Sequence, residues 1–442
     1  MIRIIQNLLC LGLLSLFLFI GCKQEAQSKI ELNQKQSSAF KNQAWADSLI
    51  IAFKNFMIKK DMKAGNQLFN AAELMPVKNW EVYMLSATIF ANSQNKDRAF
   101  IAIKKAIESG FEDHSLLKGL PDLAPLHNDV RWEKFVQLTL EKQQETLEKV
   151  TNPNLLQELK KMWANDQAVL SKYQKNIQRL DSTSERSEYE RLFKPVEMVW
   201  DTNRRKLDSI IDQHGWPGDN LVGKEGSKLS WAIPQHHPDI FFKRKCLKLI
   251  ERAMLKSDVD PNYFAELNDR IARDIWLKQT YGASMGDVAP HPIANPSEVN
   301  QKRYELGLTE PIEVYAILHG IEYRSPSKAQ AKKDSIESKK IAQKHFREFQ
   351  LSITRNKVEV ANTNLKKAID YYGDISDEQL FEAAFLLSKT ENSNAQELST
   401  KILKVLIWRE WEHLGKIRNE EYRESFSKLS KWDEINSLLE KI

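Results

Sequence analysis

The chain has 442 residues, enough for several domains that each bury a core of their own. Its 42% apolar and 28% charged residues are typical of a globular protein and exclude a fibrous or largely disordered chain. The formal net charge of +5 is small beside 65 basic and 60 acidic side chains, so the composition gives no support for nucleic-acid binding.

The first 22 residues combine a basic start with a short apolar run that ends in a cysteine. Arg3 precedes the apolar stretch 8–20, which is short for a membrane span and suits a secretion signal. The ending 18–22, Leu-Phe-Ile-Gly-Cys, resembles a bacterial lipobox, with Phe19 where leucine is usual. The resemblance implies that residues 1–21 are a cleaved signal peptide and that Cys22 is acylated, with palmitate for example. We therefore expect a lipid-anchored protein of the bacterial cell envelope, periplasmic or surface-exposed; the alternative is an uncleaved anchor helix.

Residues 22–40 are polar and rich in Gln, Lys and Ser, which predicts a flexible tether. With Cys22 acylated and Cys10 removed with the signal, Cys246 is left without a partner, so no intramolecular disulfide is predicted. The helical setting of Cys246, between Phe242 and Ile250, favours a buried structural thiol.

The segment 41–148 repeats a helical pattern. Similar residues recur 35 positions apart, and the pairs are Trp45 and Trp80, Ala64 and Ala99, Leu68 and Ile103, and Ala71 and Ala106. Paired helices with such a period resemble the tetratricopeptide repeat, and Pro76 ends one unit where that repeat commonly has proline. We expect a repeat array closed by a capping helix before 148. An unrelated pair of helical hairpins is the alternative.

The middle region, 152–320, does not repeat, and apolar stripes at helical spacing predict that it is helical. Its polar and glycine positions form an ordered series that comprises Asp166-Gln167, His214-Gly215-Trp216-Pro217, Val222-Gly223, Gln235-His236, Asp239, Leu267, Asp269-Arg270, Gln279, Tyr281-Gly282, Arg303-Tyr304 and Gly307-Leu308. This series resembles an uncharacterised bacterial domain of unknown function, which implies no particular activity. His237 and Pro238 depart from the pattern, which usually continues with alanine after His236.

Two further segments complete the chain. Residues 321–340 are rich in Lys, Ser, Ala, Glu and Asp, and we interpret them as a charged linker or a solvated helix. In 341–442 the repeat spacing returns at 34 residues, and the pairs are Ala361 and Ala395, Leu365 and Ser399, and Ala368 and Ile402. The predicted fold is therefore all-α, with tetratricopeptide-like arrays on either side of a non-repeating helical central domain.

The central domain supplies the candidate site. In a functional interpretation, His236 is a general acid or base, Asp166 or Asp269 orients it, and Arg270 holds an anion. In a structural interpretation, the same residues form a hydrogen-bonded network that holds helices together. Further candidates for ligand binding are Gln167, Trp216, Gln235, Asp239, Gln279 and Tyr281. Trp216 beside Pro217 is also consistent with a residue that fills the core.

The sequence predicts neither a metal nor a cofactor. His236 and His237 are adjacent and diverge on a regular helix, and no paired-cysteine, His-Glu-x-x-His or phosphate-loop spacing occurs. The leading hypothesis is a lipid-anchored scaffold or adaptor whose helical arrays bind a protein or peptide. The alternative is a cell-envelope enzyme with hydrolase-like acid–base chemistry at His236, Asp269 and Arg270. A third hypothesis is that Arg270 binds a small anion without chemistry.

Overall fold

The computed structural model describes residues 44–59, 61–75, 78–180, 186–308 and 310–441. The protein is all-α, as predicted, and its described residues form isolated bridges at Gln279–Ile293 and Met285–Pro290 but no strand. Among these residues, no helix has the length and apolar character needed to cross a bilayer. The predicted signal peptide, tether and Cys22 lie outside the described residues, as does Pro76.

The described residues form helices joined mostly by short turns. In chain order they are α1 (Ala44–Ile58), α2 (Met62–Leu74), α3 (Trp80–Asn92), α4 (Lys96–Glu108), α5 (His114–Gly119), a 3₁₀ helix (Pro121–Leu126), α6 (Trp132–Leu147), α7 (Pro153–Ile177), α8 (Arg186–His214), α9 (Asp219–His236), α10 (Ile240–Leu255), α11 (Pro261–Asp274), α12 (Val299–Leu306), α13 (Ile312–Leu318), α14 (Lys328–Thr354), α15 (Val358–Ile369), α16 (Asp377–Ser388), α17 (Ser393–Trp408), a second 3₁₀ helix (Leu414–Arg418), α18 (Glu420–Phe426) and α19 (Trp432–Glu440).

The chain divides into two compact units. Of the described residues, unit 1 contains those up to Glu145 together with those in Asn300–Glu322, and unit 2 contains those in Thr146–Val299 together with those from Tyr323 onward. The predicted central domain, 152–320, therefore contributes residues to both units. Helix α14 begins at Lys328, so much of the predicted linker 321–340 is helical and its side chains are largely exposed.

In unit 1, consecutive helices pack on one another from α1 to α4. The side chains of Asp61 and Asn95, 34 residues apart, each cap a 13-residue helix by accepting a backbone N–H. All the buried positions of α2 are also buried 35 residues later in α4; they are Ala64, Gly65, Leu68, Ala71 and Ala72, followed by Ala99, Phe100, Ile103, Ala106 and Ile107. A Cβ at Gly65 would lie 2.9 Å from a methyl group of Ile89, so α2 and α3 approach too closely for a larger residue.

Helix α13 completes the core of unit 1. It packs on α1, and its residues Ile312, Val314 and Ala316 have no exposed surface. Nearby, Glu322 pairs with Lys54, and Glu310 accepts a hydrogen bond from the side-chain amide of Asn79. The segment 300–322 thus belongs to the core that the N-terminal helices build.

Unit 2 contains the central helices α7–α11 and the C-terminal helices. The central core is apolar, and its fully or almost fully buried members include Leu159, Met162, Leu207, Val222, Cys246, Ile250, Leu267 and Ile271. Burial raises the pKa of the Cys246 thiol, as expected of a structural cysteine. Trp216 lies in the same core, so it fills space between helices.

The C-terminal helices repeat the pattern of buried residues at the predicted spacing. Ala361, Leu365 and Ala368 of α15 are buried, and the residues 34 positions later in α17, Ala395, Ser399 and Ile402, are also buried. Trp408 donates its indole N–H to the carbonyl of Ile240, which joins α17 to the central helices. Buried positions thus recur at a spacing of 34–35 residues in both regions.

Candidate functional site

His236 ends helix α9 in a cluster of aromatic and polar side chains that α7 and α8 complete. Its Nδ1 lies 2.9 Å from Oδ2 of Asp166, and the Asp166 side chain is 4% exposed. The contact has ion-pair distance, but the ring N–H is not aligned for a hydrogen bond. Gln167 donates to the same carboxylate oxygen at 2.9 Å. Of the two carboxylates predicted to orient His236, Asp166 is thus in contact with it.

Two tryptophans flank the imidazole of His236. The ring centroid of Trp163 is 5.5 Å away and that of Trp200 is 5.9 Å away. The His236 side chain is 26% exposed although its Nδ1 is buried, so the exposed part belongs to the rest of the side chain, which includes Nε2. We define Trp163, Asp166, Gln167, Trp200 and His236 as the His236 cluster.

Asp269 has a different role from the one that the functional interpretation gave it. Its carboxylate is fully buried and accepts backbone N–H bonds from Thr280, Tyr281 and Ala283 at 2.8–2.9 Å. Burial raises the pKa of the Asp269 carboxyl, and the N–H groups, that of Ala283 first, act in the opposite direction. Asp269 and His236 share no hydrogen bond or ion pair within the described structure, so the predicted trio of His236, Asp269 and Arg270 does not form around His236.

Gln279 also stabilises the loop that follows α11, through hydrogen bonds of its side chain. Its side-chain amide donates to the carbonyls of Ser284 and His291, and its Oε1 accepts the N–H of Ser284. Gln279 is 1% exposed, so these bonds replace water for both ends of the amide. The half-buried ring of Tyr281 contacts Phe264 edge-on, and Gly282 adopts a positive φ of 67°. This motif therefore holds the loop 279–294 in one conformation.

The remaining candidates are distributed over the central helices. Asp239 caps α10 by accepting the N–H groups of Phe241 and Phe242, and it also pairs with Arg204. Gln235 is 6% exposed, and its Nε2 has no partner in the described structure. Arg270, half-buried on α11, lies near Lys243 and His291, on which its charge acts.

Sequence reasoning missed two groups of residues. Trp163 lies three residues before Asp166 on one helix, a spacing that places both on one face and could have revealed the pair. Lys243 of α10 is 3% exposed and pairs with Asp274 of α11, to which Arg273 also donates. No spacing in the sequence links Lys243 to Asp274, because the two residues come from different helices.

Two other places in the described structure have features of a ligand site. In the described part of the chain, Glu378, Glu412 and His413 are exposed residues whose ligand atoms lie within 4.8 Å of one another. Glu378 already accepts a hydrogen bond from Trp411.

A cavity of about 410 Å³ in unit 2 is lined by Leu277, Gly373, Ile375, Ser376, Asp377, Trp408 and Arg409. Arg409 bonds to Asp377 and to the carbonyls of Ile275 and Trp276, so its guanidinium supports the fold.

Residues 153–324 match the model of a family of unknown function (DUF6624). No curated protein and no solved structure matches the chain. The match contains the His236 cluster, Asp269 and the loop 279–294, and it ends beyond α13, which packs in unit 1. The family description names no reaction or ligand.

Asp269→Ala is expected to destabilise the protein. The change removes the carboxylate that accepts the N–H groups of residues 280, 281 and 283, and each donor stranded in this way costs about 1–3 kcal/mol. We expect a loss of at least about 2 kcal/mol in the free energy of unfolding, measured by urea denaturation. Asp287→Ala, at an exposed position of the same loop, is the control and should change stability by less than about 0.5 kcal/mol. Equal stability of the two variants would contradict the structural role.

Proposed function

We propose that this protein is a lipid-anchored adaptor of the bacterial cell envelope that binds a protein or peptide partner through its helical arrays. The anchor is supported by the sequence pattern before Cys22. The adaptor function is supported by the recurrence of buried positions at 34–35 residues in both arrays, since stacked helix pairs leave one continuous face for a partner.

The observation that carries the proposal is the packing of α13 on α1. The N-terminal helices hold a short helix from a distant part of the chain, with Ile312, Val314 and Ala316 fully buried. The Lys54–Glu322 pair adds a charged contact at this place. Holding a helix by its apolar face is a common recognition mode of helical surfaces. In unit 1 that helix is the protein's own, so the proposed partner contacts the C-terminal array instead.

The hairpin of α14 and α15 exposes two apolar side chains near its turn. Leu351 is 46% exposed and Val360 is 50% exposed, and each lies within about one helical turn of the connection 355–357. When a partner covers exposed apolar residues of this kind, their surface is removed from water, and this burial stabilises the complex. We assign the partner contact to this end of the C-terminal array.

Cys22→Ser is expected to abolish membrane retention. Each buried methylene of an acyl chain contributes about 0.8 kcal/mol, and only several chains together give stable anchoring. The measurement is partition between the detergent and aqueous phases after a Triton X-114 phase separation. Cys10→Ser, within the predicted signal, is the matched control and should partition like the unchanged protein. A Cys22→Ser protein that remains in the detergent phase would exclude this anchor.

A photo-crosslinking side chain at 351 or 360 is expected to give a discrete adduct in cells. The same side chain at 255 or 198 is the control, because Leu255 and Met198 are 69% and 62% exposed but belong to the central helices. The adduct at 351 should weaken when Val360→Asp is introduced, since a charge opposes burial of that surface. Adducts of equal yield at 255 and 198, or none at 351 and 360, would contradict a partner site on this array.

The His236 cluster favours a second candidate function, an envelope enzyme with acid–base chemistry. The contact with Asp166 restrains the ring, and Nε2 lies in the part of the side chain that includes its exposed surface, where it can serve a substrate as acid or base. Asp166 takes the orienting role in this site, because Asp269 is bonded to the backbone of the loop 279–294. The flanking Trp163 and Trp200 supply apolar surface beside the imidazole.

His236 is expected to react readily with diethyl pyrocarbonate, which acylates a neutral imidazole nitrogen. His237 is 3% exposed and bonded through both ring nitrogens, so it should be protected from the reagent. His413, with a 45% exposed side chain, gives the reference rate for an exposed imidazole. Asp166→Asn should change the rate at His236 by at least about threefold, since it removes the charge beside Nδ1. The rates are measured by mass spectrometry of peptides. Protection of His236, or a rate that ignores Asp166→Asn, would contradict the acid–base site.

A further inference from the structure

The solvent-facing side of helix α14 carries a row of cations. The helix, Lys328–Thr354, contains seven basic and three acidic residues. Five exposed residues are spaced three or four positions apart, which places them within an arc of about 80° and along about 21 Å of the helix. They are Lys333, Ile336, Lys340, Lys344 and Arg347. We define these five residues as the α14 face.

The rotation of α14 is fixed by its packing on the neighbouring helices. Its buried residues lie on the side opposite the α14 face, and they are Ala342, Phe346, Phe349 and Ser352. On one flank, Gln343 bonds to Gln379 and Gln350 bonds to Glu382, and both partners belong to α16. The helix therefore cannot turn the α14 face toward the core.

Most cations of the α14 face have no carboxylate partner. Within the described residues, Lys333, Lys344 and Arg347 form no ion pair, and the Nζ of Lys340 lies 3.9 Å from a carboxylate oxygen of the exposed Glu337. The face thus has four cations and one carboxylate within ion-pair distance. Exposed pairs of this kind contribute little, so the positive charge is available to a partner.

The other carboxylates nearby lie beside the α14 face or are already bonded. Asp334 and Glu348 of α14 follow on one side of the face, and Asp334 accepts a hydrogen bond from Gln330. The remaining carboxylates on elements that pack close by have partners of their own; they are Asp374, bonded to Lys278 and Ser338, Glu382, bonded to Gln350, and Glu359, bonded to Asn392.

The residue types of the α14 face fit a lipid surface better than a protein. Protein interfaces are enriched in arginine and aromatic residues and depleted of lysine, whereas three of the four cations here are lysines. Ile336, in the middle of the row, is 63% exposed. Helices that lie on membranes combine Lys and Arg with apolar side chains that enter the boundary between headgroups and acyl chains.

We propose that the α14 face binds the headgroups of anionic phospholipids at a bilayer surface, with Ile336 entering the headgroup boundary. Each Lys or Arg near such a surface strengthens binding about fivefold. Leu351, assigned to the protein partner, lies beyond the α14 face, so docking does not require that partner. Only the setting at a bilayer rests on the proposed lipid anchor.

The test uses the full chain reconstituted with vesicles of phosphatidylcholine, with or without phosphatidylglycerol, and an environment-sensitive fluorescent side chain at position 336. We expect a blue shift of its emission only when phosphatidylglycerol is present. The shift should disappear in about 1 M salt, which screens charges over about 3 Å. The same side chain at position 198 is the control, because Met198 is 62% exposed but belongs to α8, and it should show no shift.

The double variant Lys340→Gln and Lys344→Gln should lower the ratio of docked to undocked protein at least tenfold, measured by the amplitude of the shift. Lys224→Gln with Lys228→Gln is the matched control, since these exposed lysines have the same spacing on α9. Both double variants change exposed side chains only, so their melting temperatures should equal that of the unchanged protein.

Absence of a shift at 336 with phosphatidylglycerol, an equal shift with phosphatidylcholine alone or at 198, or an unchanged ratio in the Lys340 and Lys344 variant would overturn the proposal. A photo-crosslinking side chain at 336 that captures a protein in cells rather than lipid would assign the face to an acidic protein and would also overturn it. Failure of the anchor is seen separately, in the detergent partition of Cys22→Ser, and a protein without that anchor should still float with vesicles that contain phosphatidylglycerol.

Discussion

The carboxylate of Asp269 determines the conformation of the segment that follows α11. It accepts backbone N–H groups from Thr280, Tyr281 and Ala283, and Gln279 then bonds across the loop to Ser284 and His291. A carboxylate can be buried only when its oxygens have such partners, so the loop and the helix stabilise each other. The position of the His291 ring beside Tyr372 depends on this arrangement.

Much of the fold could be predicted because it follows from local patterns. Apolar residues at helical spacing predicted an all-α chain, and the residues of the pairs Ala64–Ala99 and Ala361–Ala395 are buried. The packing of α13 in unit 1 could not be predicted, since residues 312–318 contact residues more than 250 positions earlier in the chain. The local pattern of apolar residues in a helix does not indicate which core the helix packs into.

The candidate site could be predicted only in part, again because contacts between distant residues leave no local pattern in the sequence. His236 and Asp166 were recognised as chemically capable residues, but the choice between Asp166 and Asp269 required three-dimensional distances. Apart from the side chain of Asn268, the partners of Asp269 are backbone N–H groups, which almost every residue type possesses, so the sequence carries no sign of them. Lys243 was not predicted as a buried residue, because a lysine on an amphipathic helix is ordinarily exposed. In the structure it is buried and pairs with Asp274 of the next helix.

The placement of α13 has a practical consequence for the preparation of fragments. A fragment cut at the ends of the family match, 153–324, contains Ile312, Val314 and Tyr315 but lacks the N-terminal helices that cover them. Uncovered apolar side chains of a short helix promote aggregation, so such a fragment should precipitate or self-associate when expressed alone. Truncations that keep residues 44–145 together with 300–322 preserve the apolar contacts of both segments and are the better choice for crystallisation.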